Sequence, residues 1–261
     1  MTSEVHNIDC LELMRTLPDK CFQLAIADPP YGININESIG RRKGGKHSGR
    51  KKAAWDNASP NDDFFVELFR TSENIVIWGA NHFIESLPRQ NASCWLLWDK
   101  KFSDGVDFSQ FEMAWTSFDG MTKKFDKSPT TGEYKFHPTQ KPVELYAWIL
   151  KHYAKPGDRI FDPMMGSQSS RIAAYKLGFD YVGCELDKEY FAKGCERFDR
   201  ECHGITISEN GQRYQQTSLF APNPDSVSDH QPDSVSDYQP DSVSDHQPDS
   251  VSASRPNSDI C

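Results

Sequence analysis

The feature that most constrains the fold is an alternation of strand-like and helix-like segments. Short apolar runs of β type predict strands, and apolar residues spaced three and four positions apart predict helices. The predicted strands are residues 5–8, 22–27, 75–78, 94–98, 111–118, 159–161 and 181–184. The predicted helices are residues 11–17, 62–72, 143–153, 170–177 and 188–200. This alternation favours an α/β fold with a doubly wound, mostly parallel sheet that is covered on both faces.

The composition of the chain changes near residue 216. Residues 224–252 repeat the octapeptide PDSVSDHQ, and one copy has Tyr in place of His. Segment 216–261 contains eight Asp and a single Arg. Because it has almost no large apolar side chains, burial cannot offset the entropy lost on ordering it. We predict one folded domain over residues 1–215 and a disordered acidic repeat tail over residues 216–261, with a docking role for the tail as the alternative.

Composition argues against a membrane protein and against a disulfide scaffold. The longest apolar runs are about five residues, whereas a membrane span needs about 20. The N-terminal segment lacks the basic and apolar regions of a signal peptide. The net charge of −9 lies mostly in the tail, so it does not exclude a nucleic-acid partner for the body. The seven Cys are irregularly spaced without a CxxC pair, so we expect no disulfides, no metal and a cytoplasmic location.

Two predicted strand ends carry side chains suited to chemistry. The first strand end runs into Asp28, Pro29, Pro30 and Tyr31. The Pro-Pro pair fixes the backbone and removes two N–H donors. A carboxylate and backbone carbonyls beside an aromatic ring suit a planar group that bears an NH2. The alternative is an ordinary Pro-Pro turn that ends the strand.

The second strand end lies in RIFDPMMGSQSSRIAA, residues 159–174. A strand ends at Asp162, a loop contains Gly166, and a helix starts at about Ser167, where a ligand can approach closely. The next strand ends at Glu185, in the place where such sheets hold ribose hydroxyls. Neither GxGxxG nor GxxxxGK[ST] occurs. The pattern therefore favours a nucleoside without a pyrophosphate over a dinucleotide or a P-loop nucleotide.

Six motifs, taken in order, resemble the β-class DNA amino-methyltransferases, which use S-adenosylmethionine (SAM). They are DPPY (28–31), WGANHF (78–83), WDK (98–100), HPTQKPVEL (137–145), FDPMMGS (161–167) and GCELDKEYF (183–191). In that class the catalytic motif precedes the SAM loop, as it does in this chain. The resemblance covers residues 4–200 and implies a Rossmann-like SAM-dependent methyltransferase fold.

The resemblance implies roles for the matching residues. The catalytic clamp would consist of Asp28, Pro29, Pro30 and Tyr31. The residues that would bind SAM are Asp9, Cys10, His137, Thr139, Gln140, Lys141, Asp162, Met164, Gly166, Ser167, Gln168, Glu185 and Leu186. Gln168 departs from the family, which usually has Gly at a position that needs small size or unusual φ and ψ. We expect Gln168 either to weaken SAM binding or to reshape the edge of the pocket.

The implied reaction moves the SAM methyl group to the exocyclic amine of a flipped adenine in double-stranded DNA. Asp28 and the Pro29 carbonyl would each accept one N–H, and in-line positioning would supply most of the rate. Tyr31 would stack on the flipped base. Asp at the first clamp position favours adenine, and cytosine N4 is the alternative. Two further functions stay open: an RNA or protein-amide methyltransferase, and a catalytically degenerate DNA-binding homologue.

Segment 39–52, which follows the clamp, is predicted to bind DNA phosphates. Its cations are Arg41, Arg42, Lys43, Lys46, Arg50, Lys51 and Lys52. The alternative is a solvated run of charge. Residues 101–135 are predicted to contain the target-recognition segment. The assignment fits a bacterial or phage restriction-modification enzyme and is compatible with a homodimer; the sequence leaves the recognition site and any partner nuclease open.

Overall fold

An eight-stranded sheet organises the protein in a computed structural model that describes residues 1–33, 58–102, 109–129, 135–208 and 210–215. The strands are β1 (Ser3–His6), β2 (Phe22–Ala27), β3 (Ser72–Trp78), β4 (Trp95–Asp99), β5 (Phe111–Thr116), β6 (Lys123–Asp126), β7 (Arg159–Asp162) and β8 (Asp180–Cys184). Their order across the sheet is β1-β8-β7-β2-β3-β5-β4-β6. Among these described strands, only β5 runs against its neighbours, β3 and β4. The predicted α/β class with a mostly parallel sheet is confirmed.

The α-helices of the described residues cover the two faces of this sheet. They are α1 (Cys10–Thr16), α2 (Asp62–Thr71), α3 (Val143–Tyr153), α4 (Ser169–Leu177) and α5 (Lys188–Phe198). Alternate residues of β2 point to opposite faces: Leu24 and Ile26 pack with α3 and α4, whereas Ala25 and Ala27 pack with α1 and α2. Burial on both faces explains why the central strands are continuous apolar runs.

Side-chain caps set the starts of several helices. Asp9 accepts hydrogen bonds from the N–H groups of Leu11 and Glu12 and so caps α1. Asn61 and Asp187 cap α2 and α5 in the same way. These caps satisfy backbone donors that have no partner within their helix.

Several elements were not predicted from the sequence. They are strand β6, two 3₁₀ turns at Ala80–His82 and Ile84–Ser86, a π-helical turn at Asp199–His203, and a hairpin of β9 (Ile205–Ile207) and β10 (Arg213–Gln215). The predicted strand 111–118 ends at Thr116, and the predicted helix 188–200 ends at Phe198 before the π-helical turn.

Some of the predicted segments lie outside the described residues. These are the basic segment 39–52, the tail 216–261 and parts of the predicted recognition segment 101–135. The described residues all fall in one unit, Met1–Thr217. Within them, no helix has both the length and the apolar character that crossing a membrane requires.

Candidate active site

Seven neighbouring strands bring six charged residues, four of them predicted site residues, to one edge of the sheet. The parallel strands end at this edge, and β5 begins there because it runs the opposite way. The charged residues at or next to these strand ends are, in the order of the strands, Asp9, Glu185, Asp162, Asp28, Glu112 and Lys100. In open α/β sheets, ligands bind beyond the carboxyl ends of the strands.

Asp28 directly follows β2 and is held by two donors. The Tyr31 hydroxyl donates to Oδ1 at 2.9 Å, and Lys141 Nζ lies 2.6 Å from Oδ2. The side chain of Lys141 is only 3% exposed and that of Asp28 is 17% exposed. Lys141 was expected beside the cofactor, and the structure also places its ammonium on the predicted catalytic carboxylate.

Glu112 completes this cluster and was missed in the sequence. Its Oε2 lies 2.9 Å from Lys141 Nζ, and its Oε1 lies 2.6 Å from Lys100 Nζ. Its position in β5 could have indicated a buried side chain. Glu112 alternates with Ala114 and Thr116, which are fully buried, so its side chain lies on the same face of the strand as theirs. A carboxylate in such a register requires a buried partner.

The number of ammonium partners sets the charge state of each carboxylate. Burial raises the pKa of Glu112, but the charges of Lys141 and Lys100 outweigh it and hold that pKa at about 2. Burial also raises the pKa of Asp28, and Lys141 alone does not reverse the shift. For Lys141, burial lowers the pKa, while Asp28 and Glu112 raise it to a net increase. The cluster thus brings together the side chains of two acidic residues and two lysines.

The ring of Tyr31 is fixed by its neighbours. Gly79 has φ of 66°, and a Cβ at this position would lie 2.0 Å from Cε1 of Tyr31. Glycine is therefore required here by both the backbone conformation and the close approach. The His82 ring stacks on Tyr31 with 5.1 Å between centroids and 13° between planes. Gly79 and His82 of the WGANHF motif thus hold Tyr31 of the predicted clamp in place.

Asp162 and Glu185 shape the loop that joins β7 to α4. Buried Asp162 accepts from Met164 N–H at 3.0 Å and from the Ser170 hydroxyl at 2.5 Å. Burial raises the pKa of Asp162 to about 7. Glu185 accepts from Gly166 N–H at 2.9 Å and from Asp187 N–H at 2.8 Å. Burial also raises the pKa of Glu185.

The HPTQK segment lies against this loop. Gly166 has φ of 45°, and a Cβ there would lie 3.3 Å from Nε2 of His137. Nδ1 of His137 lies 3.3 Å from the Thr139 hydroxyl. Burial, aided by the charge of Lys141, lowers the pKa of His137 to about 4, so the ring is neutral near pH 7. The two segments expected to bind SAM therefore meet at Gly166.

Gln168 satisfies the unusual backbone requirement of its position. Its φ is 60° and its ψ is 25°, in the left-handed region that Gly usually fills. The side chain is fully buried, and its Nε2 donates to the Phe191 carbonyl at 3.2 Å while Oε1 accepts from Arg171 at 2.9 Å. A Cβ on Gly194 of α5 would lie 2.6 Å from Nε2 of Gln168. Gln168 therefore fills space that Gly194 leaves open.

The remaining predicted site residues have varied surroundings. Asp9 caps α1, Cys10 is buried in the core, and Leu186 is largely exposed. Gln140 and Ser167 are buried near the loop. The seven basic residues expected to contact DNA lie outside the described ranges. Within those ranges, no group of three or more His, Cys, Asp or Glu side chains could hold a metal ion.

Comparisons with known sequences find similarity to DNA methyltransferases. Residues 77–194 match the family model N6_N4_Mtase, described as DNA methylase. The chain is 27% identical over 231 residues to the type II methyltransferase M.HinfI of Haemophilus influenzae, covering 70% of this chain and 64% of the relative. It is 29% identical over 147 residues to M2.DpnII of Streptococcus pneumoniae, covering 56% and 50%. The chain thus spans between half and two thirds of the length of these relatives.

Solved structures share the fold at low sequence identity. TTHA0409 of Thermus thermophilus, complexed with SAM, has a TM-score of 0.53 and 17% identity, covering 78% of this chain and 96% of that one. The PvuII DNA methyltransferase, which is cytosine-N4-specific, has a TM-score of 0.52 and 15% identity, covering 81% and 95%. The central segment of the chain, residues 77–194, is thus similar to the DNA methylase family, and the chain is similar to type II methyltransferases in sequence.

Proposed function

We propose that this protein transfers the methyl group of SAM to the exocyclic amine of adenine in double-stranded DNA. The observation that carries the proposal is the environment of Asp28. Its carboxylate stands at the end of a central strand and accepts from a nitrogen, Nζ of Lys141, at 2.6 Å. The acceptor geometry thus suits an amine donor. The motifs, the matched family model and the named type II methyltransferase relatives support the same reaction.

The residues at the ends of β1, β8 and β7 suit the binding of SAM. Each oxygen of Glu185 accepts one backbone N–H and keeps lone-pair capacity for a ribose hydroxyl. Gly166 lets the loop lie close against His137, since a Cβ there would be 3.3 Å from Nε2 of that ring. Asp9, Asp162 and Glu185 supply acidic groups near a ligand that carries a positive sulfur. When bound, SAM supplies an electrophilic methyl group on a sulfonium centre.

The residues of the clamp then orient the amine. Asp28 and the Pro29 carbonyl each accept one N–H, which directs the nitrogen lone pair toward the methyl group. The N–C bond forms as the S–C bond breaks, and the electron pair of the broken bond stays on sulfur. The nitrogen becomes positive and loses one proton. Asp28 stabilises the developing charge, and its raised pKa suits it to accept the proton.

The DNA and base assignments rest on further features. Basic segment 39–52 supplies phosphate-binding cations directly after the clamp. An amine inside a duplex must be flipped out, and we assign stacking on the flipped base to Tyr31. The carboxylate of Asp28 favours adenine. Cytosine N4 is the second candidate because one structural neighbour has that specificity. The type II names of the relatives support a role in restriction-modification. We assign the protein to the cytoplasm of a bacterium, where its DNA substrate lies.

Replacement of Asp28 tests the proposal. With labelled SAM and double-stranded DNA, Asp28→Ala should lower methyl transfer by about a hundredfold or more, since the amine loses its charged acceptor. SAM binding, measured by calorimetry, should persist. The control is Asp63→Ala on α2, where the carboxylate is 62% exposed. Turnover by Asp28→Ala close to that of the control would contradict the clamp.

A further inference from the structure

The Lys141 ammonium occupies an acceptor that the target amine needs. Its Nζ lies 2.6 Å from Oδ2 of Asp28, while the Tyr31 hydroxyl donates to Oδ1. Both oxygens of Asp28 therefore have a donor already. A neutral amine that binds here must compete with a charge-assisted hydrogen bond, which is the stronger kind.

Glu112 is a second carboxylate partner for the ammonium of Lys141. The same Nζ lies 2.9 Å from Oε2 of Glu112, so the ammonium bridges two carboxylates. A shift of Nζ toward Glu112 would free Oδ2 of Asp28 and still leave the buried ammonium with a charged partner. Without Glu112, the shift would strand a buried charge, which is strongly unfavourable.

We infer that Glu112 is a positioning residue for methyl transfer: it retains the Lys141 ammonium while Asp28 accepts the target amine. This inference rests on the proposed function. Lys100, at 2.6 Å from Oε1, keeps Glu112 ready as an anion. The exchange also moves one positive charge away from Asp28 as the target nitrogen becomes positive. β5 is the strand that delivers this carboxylate to the edge of the sheet.

Glu112→Gln tests the exchange, because it removes the charge and keeps the size. Lys141 then has Asp28 as its remaining carboxylate in the cluster and stays on it. We expect kcat to fall by about tenfold or more, with the KM for SAM changed by less than about twofold. Glu112→Asp retains the charge and should be faster than Glu112→Gln.

A second substitution separates positioning from a purely structural role. Adding Lys141→Met to Glu112→Gln removes the ammonium that blocks Asp28, and the pair of changes removes one charge of each sign. The double variant should therefore methylate faster than Glu112→Gln alone. If Glu112 were merely structural, the second change would add to the loss.

Glu67→Gln is the matched control. Glu67 is also a largely buried carboxylate, 17% exposed and paired with Arg70 at 2.7 Å, but it lies on α2, away from the cluster. It should methylate at the wild-type rate. Absence of methylation by both the wild type and this control would refute the proposed function itself.

A structure of the wild-type chain with DNA and S-adenosylhomocysteine gives a measurement that needs no variant. With the target amine bound at Asp28, Nζ of Lys141 should hydrogen-bond Glu112 and lie beyond hydrogen-bonding distance of Asp28. The role of Glu112 is overturned if Nζ still bonds Asp28 in that complex. It is also overturned if an active wild type is matched within about twofold by Glu112→Gln, or if the double variant is no faster than Glu112→Gln.

Discussion

Asp28, which is half-buried, and Asp162, which is buried, are acidic residues that differ in their donors. Asp28 contacts an ammonium, whereas Asp162 accepts from the backbone of Met164 and the hydroxyl of Ser170. Neutral donors compensate less of the cost of burying a negative charge. Burial raises the pKa of both carboxyl groups, and that of Asp162 rises from 3.8 to about 7. The sequence identified both residues from their positions at strand ends but contained no sign of this difference.

Asp162 should make stability depend on pH. Since its folded-state pKa is raised, its contribution to stability is greatest below pH 3.8 and is lost as pH rises toward about 7. Asp162→Asn removes this dependence. The unfolding free energy of Asp162→Asn minus that of the wild type should therefore increase between those pH values, by up to about 4 kcal/mol. Urea unfolding at several pH values measures it, and a difference that stays constant with pH would contradict the assignment.

At the level of elements, the packing of α4 against α5 accommodates the departure at Gln168. Gln168, which precedes α4, has φ of 60°. Its side chain occupies the space next to Gly194 of α5, where a Cβ would clash with it. The sequence predicted the backbone requirement from the family pattern. It did not predict the partner, because Gly194 lies on a helix predicted only from the spacing of its apolar residues.

A double-mutant cycle tests this packing. Gly194→Ala places a Cβ 2.6 Å from Nε2 of Gln168 and should destabilise the fold by about 1–3 kcal/mol, although Ala favours helix. Adding Gln168→Gly removes the clash, so the double variant should be more stable than the sum of the two single losses predicts. Thermal unfolding of the four proteins measures the coupling. Additive losses would show that the two positions are independent.

The other elements show what makes a strand or helix predictable. β2 was predicted because burial on both faces gives a continuous apolar run. β6 was missed because Lys123, Lys124 and Asp126 leave no such run; an edge strand tolerates these charges. Glu112 was missed as a site residue because its partners, Lys100 and Lys141, come from other segments of the chain.

For the whole molecule, strand order divides the site into two halves. β1, β8 and β7 present the acidic residues proposed for SAM, while β2, β5 and β4 present the cluster around Asp28. The sequence motifs indicated both the residues proposed to bind SAM and the clamp that contains Asp28. Their juxtaposition depends on long-range strand pairing, which local sequence patterns do not specify.

DNA binding should depend on the basic segment, which lies outside the described residues. Neutralising Arg41, Arg42 and Lys43 should reduce the slope of log affinity against log salt by up to about three, since each phosphate contact releases counterions. Fluorescence anisotropy with a labelled duplex measures the slope. Neutralising Lys151, Lys176 and Lys193 on α3, α4 and α5 is the control and should leave it unchanged. Equal slopes for the wild type and the first variant would refute the phosphate contacts.

The identity of the methylated nucleoside tests the central claim most directly. Double-stranded DNA is incubated with the purified protein and SAM, digested to nucleosides and analysed by mass spectrometry, with Asp28→Ala as the matched control. We expect N6-methyldeoxyadenosine in the wild-type reaction and almost none with Asp28→Ala. N4-methyldeoxycytidine as the sole product would change the target base and leave the amine mechanism intact. No methylated nucleoside, or a cytosine methylated on carbon, would contradict transfer to an exocyclic amine held by Asp28.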